Sequence, residues 1–172
     1  MKLVLITSLL LISIAPGAIA QERIYRCGNE YTNTVTEAQA KTCKLISPYS
    51  ESEVIIHRSK DGHFQVDGKV KGEPARFLVD TGASFVSVSD ELAKVAKIVG
   101  GEPIILQTAN GSRSGRLVRN VSITVGNVLL KNVAVSVGLV GRSSNEVLLG
   151  QSALVSFDMS VVGNKMVLRK VN

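Results

Sequence analysis

Aromatic residues are scarce: they make up 4% of the 172 residues, and tryptophan is absent. The 20 Lys+Arg outnumber the 14 Asp+Glu, but they are scattered, with no basic stripe along which a phosphate backbone would lie. Few aromatics and no basic run argue against nucleic acid as a partner. Cysteine occurs twice, too rarely for a disulfide-built scaffold or a four-cysteine zinc site. The two histidines, His57 and His63, lie in polar strand-and-turn surroundings and read as solvated surface residues. They are too few for a three-ligand zinc centre, and no G-x-S-x-G exists for a Ser-His-Asp arrangement. Gly100-Gly101 and the pair Gly138 and Gly141 lack the spacing of a phosphate loop. Neither a metal nor a cofactor is expected. Beyond the N-terminus, no apolar run is long enough to span a bilayer.

What remains is 45% hydrophobic, rich in Val and Leu, with 15 Gly and 4 Pro. That mixture suits short strands joined by tight turns. Residues 1–20 read as an export signal: Lys2 is a minimal basic n-region, an apolar stretch follows, Pro16-Gly17 breaks it, and Ala18-Ile19-Ala20 is a cleavage signal. The mature chain is expected to begin at Gln21 and to work outside the cytoplasm, in a periplasm or secreted, with no stable membrane insertion after cleavage. Residues 21–52 form a small polar segment that carries Cys27 and Cys43, whose pairing in an oxidising compartment would stabilise it by about 3 kcal/mol. Thr34 with Glu37 suggests a capping box opening a short helix to about Lys41, in an otherwise loop-like segment.

From residue 53 to 172 strands dominate. Val54-Ile55-Ile56 and His63-Phe64-Gln65-Val66 flank a turn at Lys60-Asp61-Gly62, and Asp67-Gly68 suggests a second turn. Ser89, followed by Asp90 and Glu91, caps a short helix predicted to reach about Lys97. Strands are predicted from Ile104 to Thr108, Gly115 to Val125 and Val128 to Val137, with turns at Asn110-Gly111 and Gly126-Asn127. A buried-type run Val147-Leu148-Leu149 precedes a short helix from Gln151 to about Phe157, and a last hairpin turns at Gly163-Asn164. The fold class is mostly β, a small barrel or sandwich with one or two short helices.

The chemistry concentrates in Phe77-Leu78-Val79-Asp80-Thr81-Gly82-Ala83-Ser84. An apolar strand ends in a carboxylate, which is costly to bury unless donors compensate it. Gly82 permits a tight turn whose N–H groups reach back to Asp80, and Thr81 can tie the turn down through its hydroxyl. Downstream lie the Ala109-Asn110-Gly111 hairpin and Leu148-Leu149-Gly150. With these residues the chain resembles the retropepsin-like aspartic proteases, particularly their exported bacterial members, over residues 54–172. The resemblance implies an acid-protease β-barrel with one lobe per chain. It makes Asp80 the catalytic acid, supported by Thr81, Gly82 and Ala83. It assigns Ala109, Asn110 and Gly111 to a flap over the substrate, and Leu148, Leu149 and Gly150 to packing beneath the site.

Aspartic-protease chemistry needs two carboxylates sharing a proton, and one chain offers one such motif. The economical solution is a C2 homodimer, so the expected partners are a second copy of this chain and a peptide or protein substrate. The alternative is a non-catalytic module on the same fold that grips an extended peptide by strand addition.

Overall fold

A computed structural model describes residues 23–46, 52–108, 111–138 and 143–171. The expected export signal at residues 1–20 lies outside the described residues. The N-terminal segment contains β1 (Tyr25–Cys27), β2 (Glu30–Thr32), α1 (Glu37–Ala40) and β3 (Lys44–Leu45), with the three strands paired in the order β2-β1-β3. This segment is therefore a small sheet, where the sequence suggested mostly loop. The capping box is also displaced from the expected Thr34 and Glu37. Thr36 accepts from the Gln39 N–H, and the Gln39 side chain accepts from the Thr36 N–H. Thr34 is occupied elsewhere, in a turn with the Thr32 hydroxyl. Cys27 and Cys43 are joined as a disulfide.

The main body follows as β4 (Glu53–His57), β5 (Gln65–Val70), β6 (Glu73–Val79), β7 (Val86–Val88), α2 (Asp90–Val95), β8 (Glu102–Thr108) and β9 (Gly111–Val125). It ends with β10 (Val128–Val137), β11 (Glu146–Leu149), α3 (Gln151–Leu154), β12 (Phe157–Val162) and β13 (Lys165–Lys170). Strands β10-β7-β11-β6-β5-β9 hydrogen-bond in that order, and pairing of β9 with β10 closes them into a six-stranded barrel. Strand β8 extends past the ring as the hairpin partner of β9. A separate sheet, β12-β13-β4, lays Val54, Ile56, Phe157, Met166 and Leu168 on the barrel core. Core residues such as Phe77, Val86, Val125, Val135 and Leu149 have no exposed surface.

The Asp67-Gly68 turn expected from sequence is not made. Both residues lie inside β5, and the hairpin turns instead at Lys71-Gly72, with φ of 48° and 94°. Two consecutive left-handed residues are what a two-residue hairpin requires. Gly68 serves a different need: a Cβ there would stand 2.0 Å from the Thr124 carbonyl oxygen, where β9 crosses β5. Asp67 points out and pairs with Arg76 at 2.9 Å. Ser89 does cap α2, accepting from the Leu92 N–H at 3.0 Å, but the helix ends at Val95, and Lys97 takes a φ of 52°. Likewise α3 stops at Leu154, and Phe157 already belongs to β12.

The N-terminal sheet covers the face of β12-β13-β4 turned away from the barrel. Ile24 and Ile46 are buried there with Val167, beside Tyr31, Ile55 and Val162. Glu53, 3% exposed, is held by Arg26 at 2.5 Å and accepts from the Tyr31 hydroxyl at 3.1 Å. Burial, and secondarily the Glu53 charge, push the Tyr31 phenol above its ordinary value. Among the described residues no helix is long and apolar enough to cross a membrane.

Candidate active site

Strand β6 lies in the ring between β5, to which it is antiparallel, and β11, to which it is parallel, and delivers Asp80 at its end. The Asp80 N–H donates to the Leu149 carbonyl at 3.2 Å, anchoring the point where the strand becomes a turn. Within the turn, the Gly82 N–H donates to Asp80 Oδ1 at 2.9 Å, and the Ala83 N–H donates to the Asp80 carbonyl at 3.3 Å. The compensation expected for a half-buried carboxylate is thus a backbone donor supplied two residues on.

A second segment straps this turn in place. The Gln151 N–H donates to the Ala83 carbonyl at 2.8 Å, and the Ser152 N–H donates to the Ser84 carbonyl at 3.0 Å. Gln151 Nε2 donates to the Thr81 carbonyl at 2.9 Å. Thr81 is therefore held through its backbone, and among the described residues its hydroxyl makes no hydrogen bond. The Ser152 hydroxyl accepts from the Val86 N–H at 2.9 Å and donates to the Ala134 carbonyl at 2.7 Å. Gly150 makes the approach possible: a Cβ there would lie 2.2 Å from the Phe85 carbonyl oxygen and 2.7 Å from that of Ala83. Gln151 and Ser152 escaped the sequence reading because nothing local marks a polar side chain as a partner for a loop about 70 residues away.

The Leu148-Leu149-Gly150 triplet divides between two faces. Leu149 is fully buried in the core, with Val147 and Phe77. Leu148, half-buried, points the other way. It pairs with Leu78 of β6 and with Ser87 of β7, and Ser87 pairs with Ser136 of β10. Register partners share a face, so Leu78, Leu148, Ser87 and Ser136 form one row across four strands, on the face opposite the core. Asp80, two residues on from Leu78, opens onto this face. The Ser87 and Ser136 hydroxyls are 2.7 Å apart and both are buried. Strand β7, too short to be recognised in the sequence, carries this row toward the hairpin.

The β8–β9 hairpin pairs Thr108 with Gly111 at its tip. Ala109 and Asn110 lie outside the described residues. Gly111, at a φ of 106°, opens β9. Leu106 reaches toward Gly115 and Gly138, where added Cβ atoms would lie 2.8 Å and 3.7 Å from its Cδ1. Gly138 lies just past the end of β10, two residues after Ser136, so the Leu106 side of the hairpin comes near the end of the row that leads back to Asp80. His57 and His63 are exposed and join no cluster. Among the described residues no group of three metal-ligating side chains occurs.

The family described as "gag-polyprotein putative aspartyl protease" matches residues 66–156, which span the strapped turn, the hairpin and the strap itself. The chain belongs to this retropepsin-like family. A crystal structure of a retropepsin-like aspartic protease from Rickettsia conorii superimposes with a TM-score of 0.56 at 31% identity, covering 69% of this chain and 90% of that one. An uncharacterized protein from the cobV 5′ region of a Sinorhizobium species is 30% identical over 115 residues, covering 63% of this chain and 48% of the relative. An uncharacterized protein of Rickettsia prowazekii (strain Madrid E) is 34% identical over 110 residues, covering 61% and 46%. The chain thus spans about half the length of these two relatives.

Proposed function

We propose that this retropepsin-like chain is an exported aspartic endopeptidase that works as a C2 homodimer, with Asp80 and its symmetry mate as the catalytic dyad. The observation that carries the reading is the Asp80 turn: a carboxylate at the end of a buried strand, bonded by the Gly82 N–H and immobilised by the Gly150-Gln151-Ser152 strap. Two such carboxylates a few ångströms apart cannot both ionise. The charged one takes a proton from a water as that water attacks the scissile carbonyl. The protonated one donates to the carbonyl oxygen and stabilises the tetrahedral intermediate. Proton return to the leaving nitrogen then breaks the C–N bond, without a covalent enzyme intermediate. The β8–β9 hairpin, which pairs Thr108 with Gly111, closes over the peptide.

Export to a periplasm or the medium is supported by the leader-like residues 1–20 and by the Cys27–Cys43 disulfide, a bond that persists in oxidising compartments. The test is cleavage of a mixed peptide library by the purified protein and by Asp80→Asn, over a dilution series. Specific activity should fall as dimers dissociate, and Asp80→Asn should cleave nothing. Substantial turnover by Asp80→Asn, or activity proportional to concentration from a species shown to be monomeric throughout, refutes the reading.

A further inference from the structure

The inner face of the hairpin carries a feature that a generic peptide cleft does not need. Strand β9 alternates Gly111, Arg113 and Gly115 on the face it shares with Leu117, the partner of Ser136, and Arg113 pairs with Leu106 of β8 in register. Glycine on either side leaves Arg113 the one side chain of residues 111–115 on the face of β9 that, at Leu117, meets Ser136 of the row with Leu148 and Ser87. Leu106, its cross-strand neighbour, already packs toward Gly138, just past the β10 end of that row. The other arginines of β9 are engaged. Arg116 donates to the Gly100 and Ile98 carbonyls, at 2.5 and 2.8 Å, and Arg119 lies 3.8 Å from Glu102. Arg113 is exposed, and among the described residues it has no hydrogen-bond or ion-pair partner. An exposed guanidinium with an apolar cross-strand neighbour and no internal partner among the described residues is suited to receive a carboxylate.

Resting on the proteolytic reading above, we infer that Arg113 is a specificity-determining residue that selects substrates with a Glu or Asp side chain within about two residues of the scissile bond. A partly exposed, charge-assisted contact should favour Glu over its neutral isostere Gln by about tenfold in kcat/KM, the ratio that about 1.4 kcal/mol gives.

The test pairs cleavage with binding. Glu and Gln versions of one extended peptide are compared as substrates of the full chain, and as ligands of its Asp80→Asn form by fluorescence anisotropy. The Glu-to-Gln ratio should fall to about one in Arg113→Leu and be partly retained in Arg113→Lys. In Arg113→Glu the preference should turn toward a Lys peptide, and raised salt should compress the native ratio. A ratio near one in the native chain, or one unchanged by Arg113→Leu, overturns the assignment while cleavage itself leaves the proteolytic reading intact. Arg113-dependent binding of the Glu peptide with no cleavage by the native chain does the reverse. Failure to bind or cleave any peptide overturns both.

Discussion

Replacing Gly150 by alanine tests the strap that holds the Asp80 turn. Its φ of −90° is open to any residue, so the substitution brings no backbone strain and its cost is steric alone. The new methyl would stand 2.2 Å from the Phe85 carbonyl oxygen, 2.6 Å from the Phe85 carbonyl carbon and 2.7 Å from the Ala83 carbonyl oxygen. All three are backbone atoms that cannot swing aside as a side chain would. Overpacking of this kind costs about 1–3 kcal/mol. The shift that relieves it pulls apart the Gln151-to-Ala83 and Ser152-to-Ser84 hydrogen bonds, worth about 1 kcal/mol each. A total loss of about 3–5 kcal/mol is expected, against a stability of about 5–15 kcal/mol for an ordinary domain. In urea, with a slope of about 1–3 kcal/mol per molar, the unfolding midpoint should drop by about 2 M. Val155→Ala, at a side chain 70% exposed just beyond α3, serves as the control and should move stability by no more than about 0.5 kcal/mol. A Gly150→Ala midpoint within the control's shift would refute the argument that close backbone approach dictates glycine here.

Other consequences follow from the same contacts. Ser152→Ala removes the hydroxyl that serves both the Val86 N–H and the Ala134 carbonyl, and should cost about 2–3 kcal/mol in the same assay; a loss under about 0.5 kcal/mol counts against it. Reduction of Cys27–Cys43 releases a constraint worth about 3 kcal/mol. It should speed tryptic cleavage at Lys41 and Lys44 while leaving barrel sites protected, as read by mass spectrometry. Because Tyr31 is raised in the folded state by burial and then by Glu53, its contribution is fully present below the unfolded value of about 10 and is lost as pH climbs through the raised value. Absorbance titration near 295 nm should show a late phenol that disappears in Tyr31→Phe and shifts down in Glu53→Gln.

The parts of the fold legible in the sequence are those set by local chemistry. The apolar strand into Asp80, the Ser89 cap, and the turns at Gly126-Asn127 and Gly163-Asn164 each depend on a few adjacent residues, and each forms where the pattern puts it. The misses share a different cause. Asp67-Gly68 has turn chemistry, yet Gly68 is required by the carbonyl of a strand more than fifty positions away. Thr34 and Thr36 both stand three residues ahead of a suitable partner, and the choice between them is made by the Thr32 turn. Strand β7 is three residues long and gains its identity from β10 and β11 on either side. Of the candidate site, the acid and its glycine were readable, whereas the straps and the row from Leu78 to Ser136 exist only as register between distant strands.

The distance in sequence between the Asp80 turn and its straps orders events in time. Hydrogen bonds that fix the turn span 66 and 70 residues, from Ser152 to Val86 and from Gln151 to Thr81. At about 5–20 residues per second, a ribosome releases Asp80 several seconds before the residues that immobilise it. Contacts of such long range form late, after the intervening loop has been closed. During that interval the nascent chain carries the acid on an unbraced turn, with neither a shaped cleft nor a fixed carboxylate. The candidate site is thus one of the last features to mature, and a chain halted before Gly150 would expose its aspartate without ever organising it.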